Sequence, residues 1–145
     1  MLKRRGSAVW KGTGLEGSGR LSTASGALED QPYSTAGRFQ SEDGRLGTNP
    51  EELIAAAHAG CFNMSLSFHL TGAGFPPEEL ATEAVLTAER EGVHWTITAV
   101  RLELRARVPG VSEERFQELV RAAKEGCPVS KVLNAEISVE AVLGS

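Results

Sequence analysis

Cysteine is scarce in this chain, with two in 145 residues, Cys61 and Cys127, 66 positions apart. A small secreted scaffold held by disulfides carries more, and a structural zinc site needs four Cys or His ligands at tight spacing. The three histidines, His58, His69 and His94, make no ligand pattern with the cysteines, so neither a metal nor a cofactor is expected. Basic residues are not in excess: 15 Lys and Arg against 19 Asp and Glu leave a net charge of −4, and the two signs are interleaved. That excludes the concentrated basic face that nucleic acid requires. No apolar run approaches the ~18 residues of a membrane span. Lys3, Arg4 and Arg5 lead into Gly6 and Ser7 rather than the apolar stretch of a signal peptide. Neither a membrane segment nor a signal peptide is expected, and the expected compartment is the cytosol. Repeats and low-complexity tracts are also missing. Apolar residues make up 41%, enough for one core but not two, so residues 1–145 are read as a single domain.

The first 40 residues carry the marks of short strands. Ala8-Val9-Trp10, Arg20 to Thr23 and Gly26-Ala27-Leu28 are expected strands, Gln31-Pro32-Tyr33 an expected turn, and Arg38-Phe39 an expected strand end. Residues 40–47 are polar and punctuated by glycine, as in a loop. A helix start follows: Asn49 can cap, Pro50 suits the first helical position, and Glu52 stands three residues after the cap. The helix is expected from Pro50 to about Leu70, with Leu53, Ile54, Ala57, Cys61, Met64, Leu66 and Phe68 as apolar positions. Small residues lie on several of its faces, as in a central, closely packed helix. Gly72, Gly74, Pro76 and Pro77 end it.

Two long strands are expected next, at about Thr82 to Arg90 and from His94 to Val108. The second alternates Val100, Leu102, Leu104, Ala106 and Val108 with charged residues, while Trp95, Ile97 and Ala99 run in the opposite phase. That change of phase predicts a bulge near Ala99–Val100. Ser112 caps a second helix, from Glu113 to about Lys124, for which Gly126 is the expected C-cap. A helical turn begins at Cys127-Pro128, and a strand through Ile137, Val139, Ala141 and Leu143 closes an α+β domain.

In a reducing compartment two lone cysteines are either buried fillers or a redox couple, and composition alone favours fillers. Cys127 nevertheless precedes a proline at the start of a helical turn, where unpaired backbone N–H groups favour a thiolate. The segment Gly47-Thr48-Asn49-Pro50-Glu51-Glu52-Leu53-Ile54-Ala55-Ala56-Ala57-His58-Ala59-Gly60-Cys61-Phe62 closely resembles the central helix of the osmotically inducible protein C and organic hydroperoxide resistance (OsmC/Ohr) family. Cys127-Pro128-Val129-Ser130-Lys131-Val132-Leu133 resembles that family's second cysteine motif. The likeness runs over essentially the whole chain. Ser7 to Trp10, Ser22 to Gly26, Gln31-Pro32-Tyr33 and His58 are more similar to the OsmC branch than to the Ohr branch.

The resemblance implies antiparallel-rich sheets around a long central helix in an intertwined homodimer. It further implies a peroxidase that reduces organic hydroperoxides in oxidative or osmotic stress, re-reduced by a small dithiol of lipoyl type. Cys61 matches the peroxidatic cysteine, Cys127 the resolving cysteine, Arg38 the arginine beside the reactive sulfur, and Glu51 the carboxylate that holds that arginine. Arg45, in the loop, is the rival to Arg38. The chemistry is consistent: only a thiolate breaks the O–O bond, and a fixed guanidinium stabilises thiolate and leaving oxygen together. Cys61 is therefore expected to be a low-pKa thiol. Phe62 and Met64 either favour alkyl hydroperoxides or belong to the core.

Glu51 and Cys61 are ten residues apart on one helix, so about 15 Å along its axis. If both belong to one site, Glu51 is expected from a second copy. Two further readings stand beside the peroxidase. His58, three residues before Cys61, would be the base of a cysteine hydrolase; or the chain is a non-enzymatic dimeric stress or ligand-binding protein whose two cysteines are structural.

Overall fold

The computed structural model describes residues 1–144. They form two compact units, one from Met1 to Leu53 and one from Ile54 onward.

The first unit holds a three-stranded antiparallel sheet of β1 (Gly6–Lys11), β2 (Ser18–Thr23) and β3 (Gln31–Ser34), in that order. Ala8 pairs with Leu21, and Arg20 with Pro32. Gln31-Pro32-Tyr33, expected to be a turn, is thus the edge strand. An edge tolerates proline because no further strand needs its missing N–H. The expected strand at Gly26-Ala27-Leu28 is instead the connection between β2 and β3. Thr23 accepts a hydrogen bond from the Gly26 amide, and Gly26 takes φ 81°, which a residue with a Cβ rarely adopts. Arg38 and Phe39 do not end a strand. They lie in a short helix, α1 (Thr35–Phe39), whose cap is Ser34 accepting from the Gly37 amide. Gly37 is buried, and a Cβ there would collide with the Leu46 carbonyl oxygen.

α2 (Pro50–Gly72) begins in the first unit and continues into the second. As expected, Asn49 caps it, accepting from the Glu52 amide at 2.8 Å. The Glu52 carboxylate accepts from the Thr48 hydroxyl at 2.8 Å.

The second unit adds β4 (Glu79–Glu91), β5 (His94–Arg107), α3 (Glu113–Gly126), α4 (Pro128–Val132) and β6 (Glu136–Gly144). The sheet order is β4-β5-β6, with β4 and β5 antiparallel and β5 and β6 parallel. Register breaks where Thr87 faces Ala99 and Ala88 faces Ile97, which leaves Thr98 as the extra residue of a bulge beside the expected position. The core consists of Phe62, Leu66 and Leu70 of α2, Val100, Leu102, Leu104 and Ala106 of β5, and Phe116, Leu119, Val120 and Ala123 of α3, with Cys127 among them. Burying each large side chain contributes about 1.5–3 kcal/mol. The buried face of α2 is His58, Phe62, Leu66 and Leu70. Met64 and Phe68, read among its apolar positions, are 65% and 75% exposed. A helix with small and apolar residues on several faces does not reveal which face will be covered.

Gly126 is not the cap of α3. Cys127 is both the C-cap of α3 and the N-cap of α4. Pro128 forces the residue before it out of the helical region and then supplies the first position of the next helix.

Candidate active site

Two pairs of the expected residues come together, one in each unit. In the first, Arg38 Nε lies 2.8 and 3.1 Å from the two Glu51 carboxylate oxygens, and Nη2 lies 2.6 Å from Oε1. The guanidinium also sits 4.6 Å from the centre of the Phe39 ring. Carboxylate and ring leave Nη1 unpaired among the described residues. This fork is a planar donor held in place, not a swinging cation. The carboxylate that fixes Arg38 comes from the same chain, so any second copy would contribute arginine and glutamate as a pair. Arg45 is exposed; its backbone amide donates to the Asp43 carboxylate and its carbonyl accepts from the Gly47 amide.

In the second unit Cys61 and Cys127 are free thiols whose sulfurs lie 3.1 Å apart. Cys61 is half-buried in the middle of α2, and Cys127 is fully buried. Side chains around Cys61 tie α2 to three elements. His58 Nε2 meets Ser130 Oγ of α4 at 2.7 Å, Asn63 bonds the Leu80 carbonyl and the Thr82 hydroxyl of β4, and the Ser65 hydroxyl donates to the Ala123 carbonyl of α3. Position 61 therefore lies on the best-anchored stretch of the helix.

The two thiols differ in acidity. Burial pushes Cys61 up; a backbone hydrogen bond from Val129 opposes this, but Cys127 reinforces it, and the net direction is upward. Burial also acts against the Cys127 thiolate, yet the Ser130 amide, the Cys61 thiol, the Ser130 hydroxyl and the Val129 amide together outweigh it and bring Cys127 down. No bond of strict capping geometry closes on that sulfur; the start of α4 favours its charge through several weaker contacts. In the single chain the groups acting on Cys61 include no cation.

His58, the base of the hydrolase reading, is fully buried, and burial lowers its pKa. Its hydrogen bond goes to Ser130. Phe62 is wholly in the core and so is not a substrate wall. His69 is half-buried and bonds the Ser65 carbonyl at 2.8 Å, while His94 is exposed. Ser130 and Asn63 received no role from the sequence. Ser130 stands in the second cysteine motif, but nothing local connects it to a histidine 72 positions away. Among the described residues no three His, Cys, Asp or Glu side chains converge as a metal site requires. A surface hollow of about 600 Å³ lies along the charged sheet face between Glu79, Arg101, Arg105 and Glu140, and neither cysteine lines it.

Residues 41–142 match the family model described as OsmC-like protein. The chain is 43% identical over 144 residues to peroxiredoxin OsmC of Escherichia coli, covering 99% of both chains. It is 30% identical over 109 residues to the organic hydroperoxide resistance protein OhrB of Bacillus subtilis, covering 68% of this chain and 71% of that one. Among solved structures, an OsmC-like protein of Vibrio cholerae superposes with a TM-score of 0.78 at 15% identity, covering 98% of this chain and all of the other, a likeness of fold.

Proposed function

The chain belongs to the OsmC-like protein family, on its OsmC side, and we propose that it is a thiol peroxidase reducing organic hydroperoxides to alcohols in stress defence, with Cys61 and Cys127 as its redox pair. One observation carries the assignment of roles: two free thiols stand 3.1 Å apart, one partly open to solvent and the other fully buried behind it. A peroxide reaches the open sulfur, and the buried one waits to close on it.

The Cys61 thiolate attacks the terminal peroxide oxygen. An S–O bond forms, the O–O bond breaks, and the alkoxide leaves and is protonated to the alcohol, which makes Cys61 a sulfenic acid. Cys127 attacks that sulfur; an S–S bond forms, the S–O bond breaks, and hydroxide leaves with the Cys127 proton as water. A small dithiol, of the lipoyl type the family likeness suggests, reopens the disulfide by exchange and is itself oxidised. The Arg38 fork, held by Glu51, stabilises the Cys61 thiolate and the departing alkoxide.

The active form is a homodimer in which the Arg38–Glu51 pair of one copy serves Cys61 of the other. Two features support this. The rise of α2 carries Glu51 about 15 Å along the axis from Cys61. In addition, Ala56, Gly60, Met64 and Phe68 form one exposed stripe along that helix, small at one end and apolar at the other, which suits packing against a second copy. A 43% identity whose alignment covers 99% of both chains supports reading the two units as one peroxidase domain. A couple that must be re-reduced each cycle belongs in a reducing compartment, the cytosol.

The test is steady-state turnover of cumene hydroperoxide against hydrogen peroxide, with dihydrolipoamide or thioredoxin as reductant, for the parent and Cys61→Ser. Turnover of the organic peroxide that vanishes in Cys61→Ser supports the reading. Undiminished turnover in that variant overturns it.

A further inference from the structure

The peroxidase chemistry above leaves one buried titratable group without a role. His58 is fully buried, its Nε2 lies 2.7 Å from Ser130 Oγ, and its Nδ1 has no partner among the described residues. That asymmetry settles the tautomer. A proton on Nδ1 would be a buried donor with nothing to accept it, whereas a bare Nδ1 is only an unfilled acceptor. The proton is therefore on Nε2, and Nε2–H donates to Ser130 Oγ. Protonating both nitrogens would bury an unpaired charge, and burial indeed disfavours the imidazolium. With its oxygen engaged as acceptor, Ser130 has its own proton to give.

Ser130 is the third residue of α4, and Cys127 is the N-cap. The side chain at a cap lies beside the amide of the third residue. Both the Ser130 amide and the Ser130 hydroxyl act on the Cys127 sulfur. Imidazole, hydroxyl and sulfur therefore stand in a chain: its first link is the 2.7 Å hydrogen bond, its second is a contact short of strict hydrogen-bond geometry, and the sulfur lies 3.1 Å from Cys61. The titratable groups facing this chain are Cys61, one turn further along α2, and Cys127 itself; Lys131, the one charged residue of α4, is exposed.

We propose that His58 and Ser130 form a positioning pair that fixes the Ser130 hydroxyl proton on the Cys127 sulfur. The pair thereby stabilises Cys127 as a thiolate when it closes the disulfide and again when it leaves as the disulfide is reopened. The inference rests on the peroxidase reading for its purpose but not for its geometry. In closure, the Cys127 sulfur supplies the electron pair of the new S–S bond and hydroxide leaves Cys61. In reopening, a thiolate of the external dithiol attacks the more open Cys61 sulfur, the S–S bond breaks, and its electron pair goes to Cys127. A leaving sulfur already supplied with hydrogen bonds departs faster. The pair thus directs the reductant to Cys61 and makes Cys127 the sulfur released.

The first measurement needs no peroxide: the pH dependence of Cys127 alkylation by iodoacetamide in a Cys61→Ser background, read by mass spectrometry. Ser130→Ala and His58→Leu should each raise the midpoint by about one pH unit, as expected for loss of a hydrogen bond to the charged form. Ser130→Thr keeps the hydroxyl and His58→Gln keeps an N–H donor, so both should return the midpoint to within a few tenths of the parent. In chains with Cys61 restored, single-turnover consumption of cumene hydroperoxide should be unchanged in Ser130→Ala, while disulfide closure at neutral pH slows about threefold. The tenfold loss of thiolate is partly offset by higher intrinsic nucleophilicity. If Ser130→Ala and His58→Leu leave the midpoint where it was, or the conservative variants shift it as far as the disruptive ones, the relay is wrong. A parent that consumes no hydroperoxide while the alkylation midpoints move as expected would refute the peroxidase reading and leave the relay standing.

Discussion

Replacing Arg38 by lysine keeps the charge and removes the fork. Arg38 gives Glu51 three close contacts through two nitrogens, with Nη1 left over, so one planar group can meet a fixed carboxylate and a reacting oxygen together. An ammonium has no such geometry. A charge-assisted hydrogen bond is worth about 1.5–3 kcal/mol. Since about 1.4 kcal/mol is a factor of ten in rate, Arg38→Lys should lower kcat/KM for cumene hydroperoxide about ten- to a hundredfold, and Arg38→Ala further. Stability should barely change, because the Arg38 side chain is 37% exposed and such surface pairs contribute about 0–1 kcal/mol. That separation is diagnostic: a large loss of rate at nearly constant Tm places Arg38 in the chemistry and not in the scaffold. The pH midpoint of Cys61 alkylation should rise in the same series, because a cation that stabilises the thiolate has been lost. Arg45→Ala is the control and should be nearly silent. A collapse of activity in Arg45→Ala, with Arg38→Ala spared, would refute the reasoning and move the arginine of the site into the loop.

Cys127→Ser should still consume one equivalent of hydroperoxide, then stop and accumulate over-oxidised Cys61, detected by mass spectrometry; sustained turnover would reverse the roles of the two sulfurs. Light scattering at micromolar concentration should give a dimer, and Met64→Glu with Phe68→Glu should shift it toward monomer and reduce activity; a stable, fully active monomer would rule out a site shared between copies. The burial of His58 makes stability depend on acidity. Its folded pKa lies below the ordinary 6.5, so between those two values the unfolded chain binds a proton that the folded chain refuses, and stability falls as pH drops below about 6.5. Urea denaturation of His58→Gln should show a flatter acid limb than the parent, and identical limbs would mean that His58 is not held neutral.

The parts of this protein legible in its sequence are those decided within a few residues. Asn49, Pro50 and Glu52 start α2 by local capping chemistry, and the alternation through Val100 to Val108 declares the buried face of β5. Cys127 before Pro128 both stops one helix and starts the next, because a residue preceding proline leaves the helical region. The family likeness likewise rests on contiguous segments around the two cysteines, and it named all four candidate site residues. Gln31-Pro32-Tyr33 could not be read alone, since a proline there is a turn or an edge strand according to what lies beside it. Arg38 read as strand until Ser34 and Gly37 closed a helical turn around it. Only the folded chain decided which side of α2, with apolar residues on several faces, was buried, because that choice belongs to the elements it packs on. It also set the 3.1 Å between sulfurs 66 positions apart and the contact from His58 to Ser130 across 72. The favour shown to the Cys127 thiolate by the amides at the start of α4 was legible in Cys127-Pro128, whereas the burial that pushes Cys61 up was not, because burial acts through space and no periodicity along the chain encodes it.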